Sequence, residues 1–428
     1  MSHDQSEPLA RRALFVAYHY PPESSSSGVL RTLKYTRYLG GFGWRVTVLT
    51  LDRAAYEVTD PKLEEQIPKD VRVIRTPFID VKRQLAIRGS YPSILAIPDR
   101  WSGWWPWAVA AGRRILQEGP VDMIYSTSPH ATAHLVAWSL ARRSGVRWVA
   151  DFRDPWYEEP PEPGTTRLGQ FAARRLERLV VRRADRVVAS TMRLRDMLAT
   201  RYPEKPKEEF VAIPNGYDEA DFSSMGRPSP LSSDELLIVH TGSLSGSFRD
   251  PRPMFEAVRR AAEGGLVDPS RIRFRFLGGG PFAESLEIKE AVTSAGLSTR
   301  VEFLPRVSYE ASLAELGRAS VLLLLQASKD TVDLVPAKLF EYLRAGRPVL
   351  ALAPPGATAE VLRDTGGGWV VDPADMGGLR DAVVRAYRAW TSSALGQLTA
   401  NSGVLEQFSR ERLAAALAGQ FDALLSLR

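Results

Sequence analysis

Short β-branched apolar runs alternate along the chain with longer stretches whose apolar positions recur at helical spacing. RALFVAYH reads as a strand, and Val29 to Leu39 as a helix. WRVTVLTL, VRVIRTP, VDMIYSTS, RWVADFR and DRVVAST read as further strands, and Thr132 to Ser144 and Gly169 to Ala184 as helices among them. Strands that alternate with helices predict βαβ units and a parallel sheet. FVAIPNGYDEADF breaks the series with Pro214, Asn215 and Gly216. A second series starts at Leu236: LLIVHTGS, IRFRFLGGG, VEFLPRV, SVLLLLQ, RPVLALAP and GGWVVDP, separated by helical stretches such as Pro253 to Glu263 and Ala337 to Arg344. The expected architecture is α/β, with two Rossmann-like doubly wound domains over 1–210 and 211–400. Residues 401–428 are expected to form helices that pack back on the body. Ligands of such sheets sit at the carboxyl ends of the strands, so the expected site is the cleft between the two halves.

Composition narrows the class. A chain of 428 residues is long for one core, which agrees with two domains. With 44% apolar and 25% charged residues, large-scale disorder is not expected. The absence of cysteine excludes disulfides, thiol nucleophiles and thiolate zinc sites, and fits a reducing cytoplasm. The apolar run from Ala13 to Tyr18 is too short for a signal-peptide core. No run approaches the roughly 18 apolar residues of a membrane span. A net charge of +6 suits anionic partners. Since no nucleic-acid-binding motif is present, nucleotide phosphates or the inner face of a membrane are the partners expected, and nucleic acid is not.

Candidate chemistry concentrates at strand ends. In HYPPESSSSGVLRTLKY, His19 ends the first strand, Ser27 can cap the following helix, and Gly28 permits close backbone approach; a plain loop is the alternative. In HTGSLSGSFRD, Gly242 opens a loop after a strand, Arg249 can grip phosphate oxygens with two N–H groups, and Ser243 can donate to them. Lys338 falls in the first turn of a helix, where a cation opposes the helix dipole unless an anion is bound; the amides of Leu334, Val335 and Ala337 can assist. Glu341, one turn on, can accept two ribose hydroxyls, or be an exposed helix residue. FLGGGP places Gly279 where a base or ribose can lie against backbone, with Arg306 near it, or makes only a tight turn. WVADFRDPW brings Asp151, Arg153 and Asp154 to a strand end, as pocket residues or as a structural ion pair; the Asp spacing is wrong for a metal pair. His130 and His134 have i, i+4 spacing on an expected helix but lack the glutamate of the zinc-protease motif, so no metal is expected. IPDRWSGWWPWAVAAGRRILQ clusters four tryptophans beside Arg113 and Arg114, which suits core packing, a membrane interface or an acceptor site.

Two stretches carry a family resemblance. DLVPAKLFEYLRAGRPVLALAPPG resembles the signature of retaining GT-B glycosyltransferases of the family 4 type, and AIPNGYD, WVADFRDPW and HTGSLSGSFRDPRPMFEAV are similar to segments of its bacterial surface-polysaccharide branch. The resemblance spans about residues 13 to 400. It implies a cytoplasmic glycosyltransferase that moves a sugar from a UDP- or GDP-linked donor to a sugar or lipid-linked acceptor, with retention and with no metal or other cofactor. By the same resemblance, Arg249 and Lys338 neutralise the leaving diphosphate and Glu341 meets the ribose. Gly28, Ser27, Gly242, Ser243, Gly279, Arg306, Leu334 and Val335 would line the nucleotide sugar, and His19, His130, Arg153 and Asp154 the acceptor or sugar pocket. The family has glutamate where this chain has Asp333, one methylene shorter, at the contact to the donor sugar. A nucleotide-sugar 2-epimerase and a non-catalytic nucleotide-sugar binder are the competing readings.

Overall fold

A computed structural model describes residues 10–26, 28–84, 97–157, 166–223, 225, 234–326 and 331–426. The chain divides into two compact units, Met1–Asn215 with Arg410–Arg428, and Gly216–Ser409. The second unit is thus an insertion between two parts of the first.

The first unit is built on seven parallel strands: β1 (Arg11–Val16), β2 (Trp44–Leu51), β3 (Arg72–Thr76), β4 (Met123–Thr127), β5 (Arg147–Phe152), β6 (Arg186–Ala189) and β7 (Phe210–Ala212), in the order 3-2-1-4-5-6-7. β7 corrects the sequence reading. The segment read as a break first adds three residues to the sheet, pairing Val187 with Phe210 and Ala189 with Ala212. Pro214 then ends the pairing, as proline has no N–H for the ladder.

The second unit has six parallel strands: β8 (Leu236–Thr241), β9 (Ile272–Leu277), β10 (Val301–Leu304), β11 (Val321–Leu325), β12 (Val349–Leu352) and β13 (Gly368–Val371), in the order 10-9-8-11-12-13. β11, VLLLL, is buried at all five positions, the pattern of a central parallel strand covered on both faces. Helix Arg252–Glu263 buries Met254, Phe255, Ala257, Val258 and Ala261, spaced three and four apart on one stripe.

In both sheets the strand order reverses once, between β1 and β4 and between β8 and β11. The carboxyl ends at such a reversal leave a crevice that the crossover helices do not fill. The loops after β1, β4, β8 and β11 carry His19, His130, Gly242, Arg249 and Asp333, and those after β5, β9 and β10 carry Arg153, Asp154, Gly279 and Arg306.

The last helix, Arg410–Ser426, belongs to the first unit. It buries Leu413, Ala414, Leu417 and Phe421 with Phe15, Trp44 and Tyr125. The Phe421 ring lies edge-on to Trp44, 5.0 Å between centroids. Asp422 accepts from the Trp44 indole at 3.0 Å and from Arg11. The short helix Ser402–Leu405 remains in the second unit.

Candidate active site

In the second unit, the chain leaves β8 at Thr241 and turns at Gly242, whose φ of +109° suits glycine. A Cβ there would sit 2.6 Å from Nζ of Lys338. The glycine therefore lets the Lys338 ammonium reach the carbonyl of Thr241, to which it donates. The loop folds back through a two-way backbone bridge between Ser245 and Arg249. This returns the Arg249 guanidinium to Ser243, where Nη1 donates to Oγ at 2.7 Å.

The other wall follows β11. Gln326 is 5% exposed. Its Nε2 donates to the carbonyls of Thr331 and Leu334 at 2.8 and 3.1 Å, and its Oε1 accepts from Thr358 at 2.6 Å. That clamp fixes the turn holding Asp333, which is half-buried. The helix Ala337–Arg344 follows, with Pro336 before it and no capping side chain; the Leu339 amide donates to Pro336 O at 3.0 Å, while the N–H groups at the very start of a helix have no intrahelical acceptor. Leu334 differs from expectation here: its amide already donates to Thr331 O at 3.0 Å and closes the turn. Glu341 is half-buried, and its Oε1 accepts from the Tyr309 hydroxyl at 2.9 Å. The next residue, Tyr342, faces inward and ties the helix to β8, its oxygen accepting from the Thr241 amide at 2.9 Å.

Lys338 and Arg249 set the electrostatics. Burial pushes the Lys338 ammonium down to about 7; the Arg249 charge acts in the same sense and Glu341 opposes it. Burial also lowers Arg249. Neither forms an ion pair among the described residues. Beneath them, His240 bonds through Nδ1 to Leu323 O at 2.9 Å while its Nε2 has no hydrogen-bond partner among the described residues. Burial and the Lys338 charge keep this ring neutral. Two cations thus meet near a helix amino end, and neither is neutralised by an ion pair among the described residues.

The GGG turn has backbone reasons of its own. Gly278 and Gly280 have φ of +79° and +71°. Gly279 accepts from the Leu244 amide at 2.9 Å, and a Cβ there would meet Ala283 at 2.7 Å. Arg306 is exposed beside it.

In the first unit, the loop after β1 is pinned rather than open. Glu23 bridges to Thr59, and Ser24 N donates to Val58 O at 3.0 Å. Ser27 lies outside the described residues. Gly28 opens helix Gly28–Tyr38, but the space over its Cα is taken: a Cβ would fall 2.0 Å from the Arg153 guanidinium. Gly28 therefore makes room for Arg153, whose Nη1 donates to Ser128 O at 3.3 Å. Burial lowers Arg153 and raises the Asp154 carboxyl. His19 bonds through Nδ1 to Glu23 at 2.7 Å and stacks with His130, 5.6 Å between centroids. His19, His130, Arg153 and Asp154 are thereby brought together at the ends of β1, β4 and β5.

The i, i+4 histidine pair does not share a helix. Helix Ala131–Ser144 begins after His130, which is extended. His134 points inward, bonds Ser126 at 2.8 Å and stacks on Phe152. Among the described residues no cluster of His, Asp or Glu is arranged to hold a metal. Asp151 is structural: it accepts from Arg31 at 2.9 and 2.7 Å, from Tyr125 at 2.6 Å and from Thr127 at 2.7 Å. Arg31 also donates to the carbonyls of Ile213 and Pro214 at 2.9 Å. The tryptophan stretch divides. Trp101 and Trp104 are core, while Trp105 lines a groove of about 420 Å³ with Trp138, Arg113, Arg142 and Arg143.

Sequence reasoning missed Glu23, Arg31, Tyr309, Gln326, Tyr342 and Thr358. Only the tyrosines left a trace, as polar tips on otherwise apolar helix faces that need a partner once buried.

Two family models match in tandem, "Glycosyl transferase 4-like domain" over residues 28–216 and "Glycosyl transferases group 1" over 236–389. The D-inositol 3-phosphate glycosyltransferase of Geodermatophilus obscurus is 28% identical over 244 residues, covering 54% of this chain and 49% of that protein. The match thus spans about half the length of that relative. Anabaena HepE, solved in complex with UDP, superposes with a TM-score of 0.66 at 18% identity, over 96% of this chain and 100% of that one. A UDP-N-acetylglucosamine 2-epimerase from Listeria monocytogenes, a putative one by its own description, gives 0.59 at 12% identity, over 97% of each chain. At such identities the structural matches speak for the fold alone. With two parallel-sheet Rossmann-like units and a glycosyltransferase family match in each, the chain belongs to the glycosyltransferases of the GT-B type.

Proposed function

We propose that this protein transfers a hexose from a nucleotide-sugar donor to a sugar or lipid-linked acceptor, with retention of configuration, in the synthesis of a bacterial surface polysaccharide or glycoconjugate. The observation that carries the reading is the pair Arg249 and Lys338, close enough for one charge to act on the other, near a helix amino end and without an ion-pair partner among the described residues. The diphosphate of a donor supplies the missing negative charge. As the anomeric C–O bond breaks, its electron pair passes to the diphosphate, and the two cations with the amides of Ala337 and Lys338 stabilise that charge. These groups do the work of a cation, so the reaction as proposed needs no metal or other cofactor. Glu341, steadied by Tyr309, takes the ribose hydroxyls, and Asp333 the donor sugar. The acceptor lies against His19, His130, Arg153 and Asp154. For a lipid-linked acceptor, the Trp105–Arg113–Arg142 groove suits contact with an anionic membrane face.

The bound nucleotide of HepE makes UDP the first base to try, with GDP next. Thermal shift with UDP-, GDP- and dTDP-sugars should give stabilisation with one base, and the same donor should pass labelled sugar to an acceptor. Interconversion of donors without an acceptor would establish the epimerase reading instead, and binding without turnover the binder. Absence of any nucleotide-induced shift overturns the proposal.

A further inference from the structure

The polar pair His19–Glu23 is almost wholly withdrawn from water, although it lies in a loop after a strand. Glu23 is 1% exposed and His19 is 6% exposed. Oε2 of Glu23 lies 2.7 Å from Nδ1 of His19. The other oxygen, Oε1, accepts from the amide of Ser25 at 2.6 Å and from its hydroxyl. Burial pushes the Glu23 carboxyl up, but the bond from His19, the charge that ring carries when protonated and the bonds from Ser25 together hold it below its ordinary range. An ionised carboxylate can only accept. The proton between the two groups therefore belongs to Nδ1. In the neutral ring this leaves Nε2 with its lone pair, and Nε2 has no hydrogen-bond partner among the described residues.

The ring is also fixed in orientation. Tyr18 packs edge-on at 4.9 Å, and His130 lies nearly parallel to it. The pair sits just past β1, at the reversal between β1 and β4, where a doubly wound sheet leaves its crevice.

We propose that Glu23 is a positioning residue, which holds His19 in the Nδ1–H tautomer so that Nε2 accepts a hydrogen bond from a hexose hydroxyl. The ligand class follows from the chemistry: a site that offers a lone pair rather than a proton selects an O–H donor. This rests on the acceptor role given above to the first unit, and names a contact within it. His19 acts here by orientation, with no proton transfer to the ring.

The test is ¹⁵N-correlated NMR of the imidazole groups in the full-length protein, with Glu23→Gln as the variant. The glutamine amide can donate to Nδ1, so the tautomer is no longer imposed. The wild type should show Nδ1–H, and the variant a shift toward Nε2–H. Titration with methyl glucoside, methyl galactoside and methyl mannoside should move the Nε2 resonance of the wild type with at least one of them. The variant should bind that hexoside roughly threefold to tenfold more weakly, the worth of one neutral hydrogen bond. Thermal shift by UDP-glucose should be equal in the two proteins, which also shows that the variant is folded. An Nε2–H tautomer in the wild type overturns the proposal, as does an unchanged tautomer in the variant or a silent Nε2 with all three hexosides. Loss of the nucleotide shift in the wild type itself would count against the donor reading and leave the tautomer result standing.

Discussion

Asp151 in the first unit and Lys338 in the second are both charged groups withdrawn from water near the end of a parallel strand. Around Asp151, Arg31, Tyr125 and Thr127 supply four short bonds, and Arg31 goes on to satisfy two carbonyls. Burial raises this carboxyl, yet the Arg31 charge and the bonds together bring it below its ordinary range. Around Lys338 the nearest strong influence is another cation, and the shift is away from the charged form. Desolvation is common to both sites; only neutralisation differs. A buried charge whose counter-charges are complete serves the fold, and one without them marks a candidate ligand site.

The sharpest way to break this contrast is to remove one member from each site. Asp151→Ala strands Arg31 without its counter-charge and should cost about 3–5 kcal/mol, read by urea unfolding. Lys338→Met takes away a cation that burial disfavours. It should leave ligand-free stability within about 1 kcal/mol of wild type and weaken UDP-sugar binding roughly 10- to 100-fold, the worth of a charge-assisted bond. Equal stability losses in the two variants would erase the distinction.

A gentler probe is pH. On the proposed function, the ammonium form of Lys338 is the one that would meet the diphosphate. In the free protein it holds its proton below about 7, and above that each bound donor must bring a proton in. Affinity for UDP-glucose, whose diphosphate diester does not titrate there, should be flat below pH 7. It should fall by up to about tenfold per unit above it. Calorimetry in buffers of different ionisation heat would show the proton uptake, and Lys338→Met should abolish it. The smallest effect is at Tyr309→Phe, which frees one Glu341 oxygen at a cost of about 1 kcal/mol or less in nucleotide affinity.

Much of the fold was legible because apolar spacing reports burial directly. All six strands of the second unit and five of the seven in the first lie within the runs read as strands, and β1 starts one residue ahead of its run. β7 escaped because three residues are too few to show a period. Lys338, Arg249 and Gly242 were legible one by one, from backbone geometry and local charge; that Arg249 and Lys338 act together was implied only by the family resemblance. Glu23 and Gln326 were not, because their work depends on His19, Thr358 and carbonyls reached only through the folded chain. Gly28 shows the converse: the demand for a small residue was readable, but its cause, the Arg153 guanidinium, was 125 residues away.

The closing helix Arg410–Ser426 ties the first unit to the order of synthesis. Phe15, Trp44 and Tyr125 leave the ribosome early, yet the side chains that cover them are made only after Gly216–Ser409. Translating that insertion takes on the order of 10–40 s. Through that interval the nascent first unit carries an open aromatic face, a surface that a holdase chaperone would shelter until Phe421 arrives.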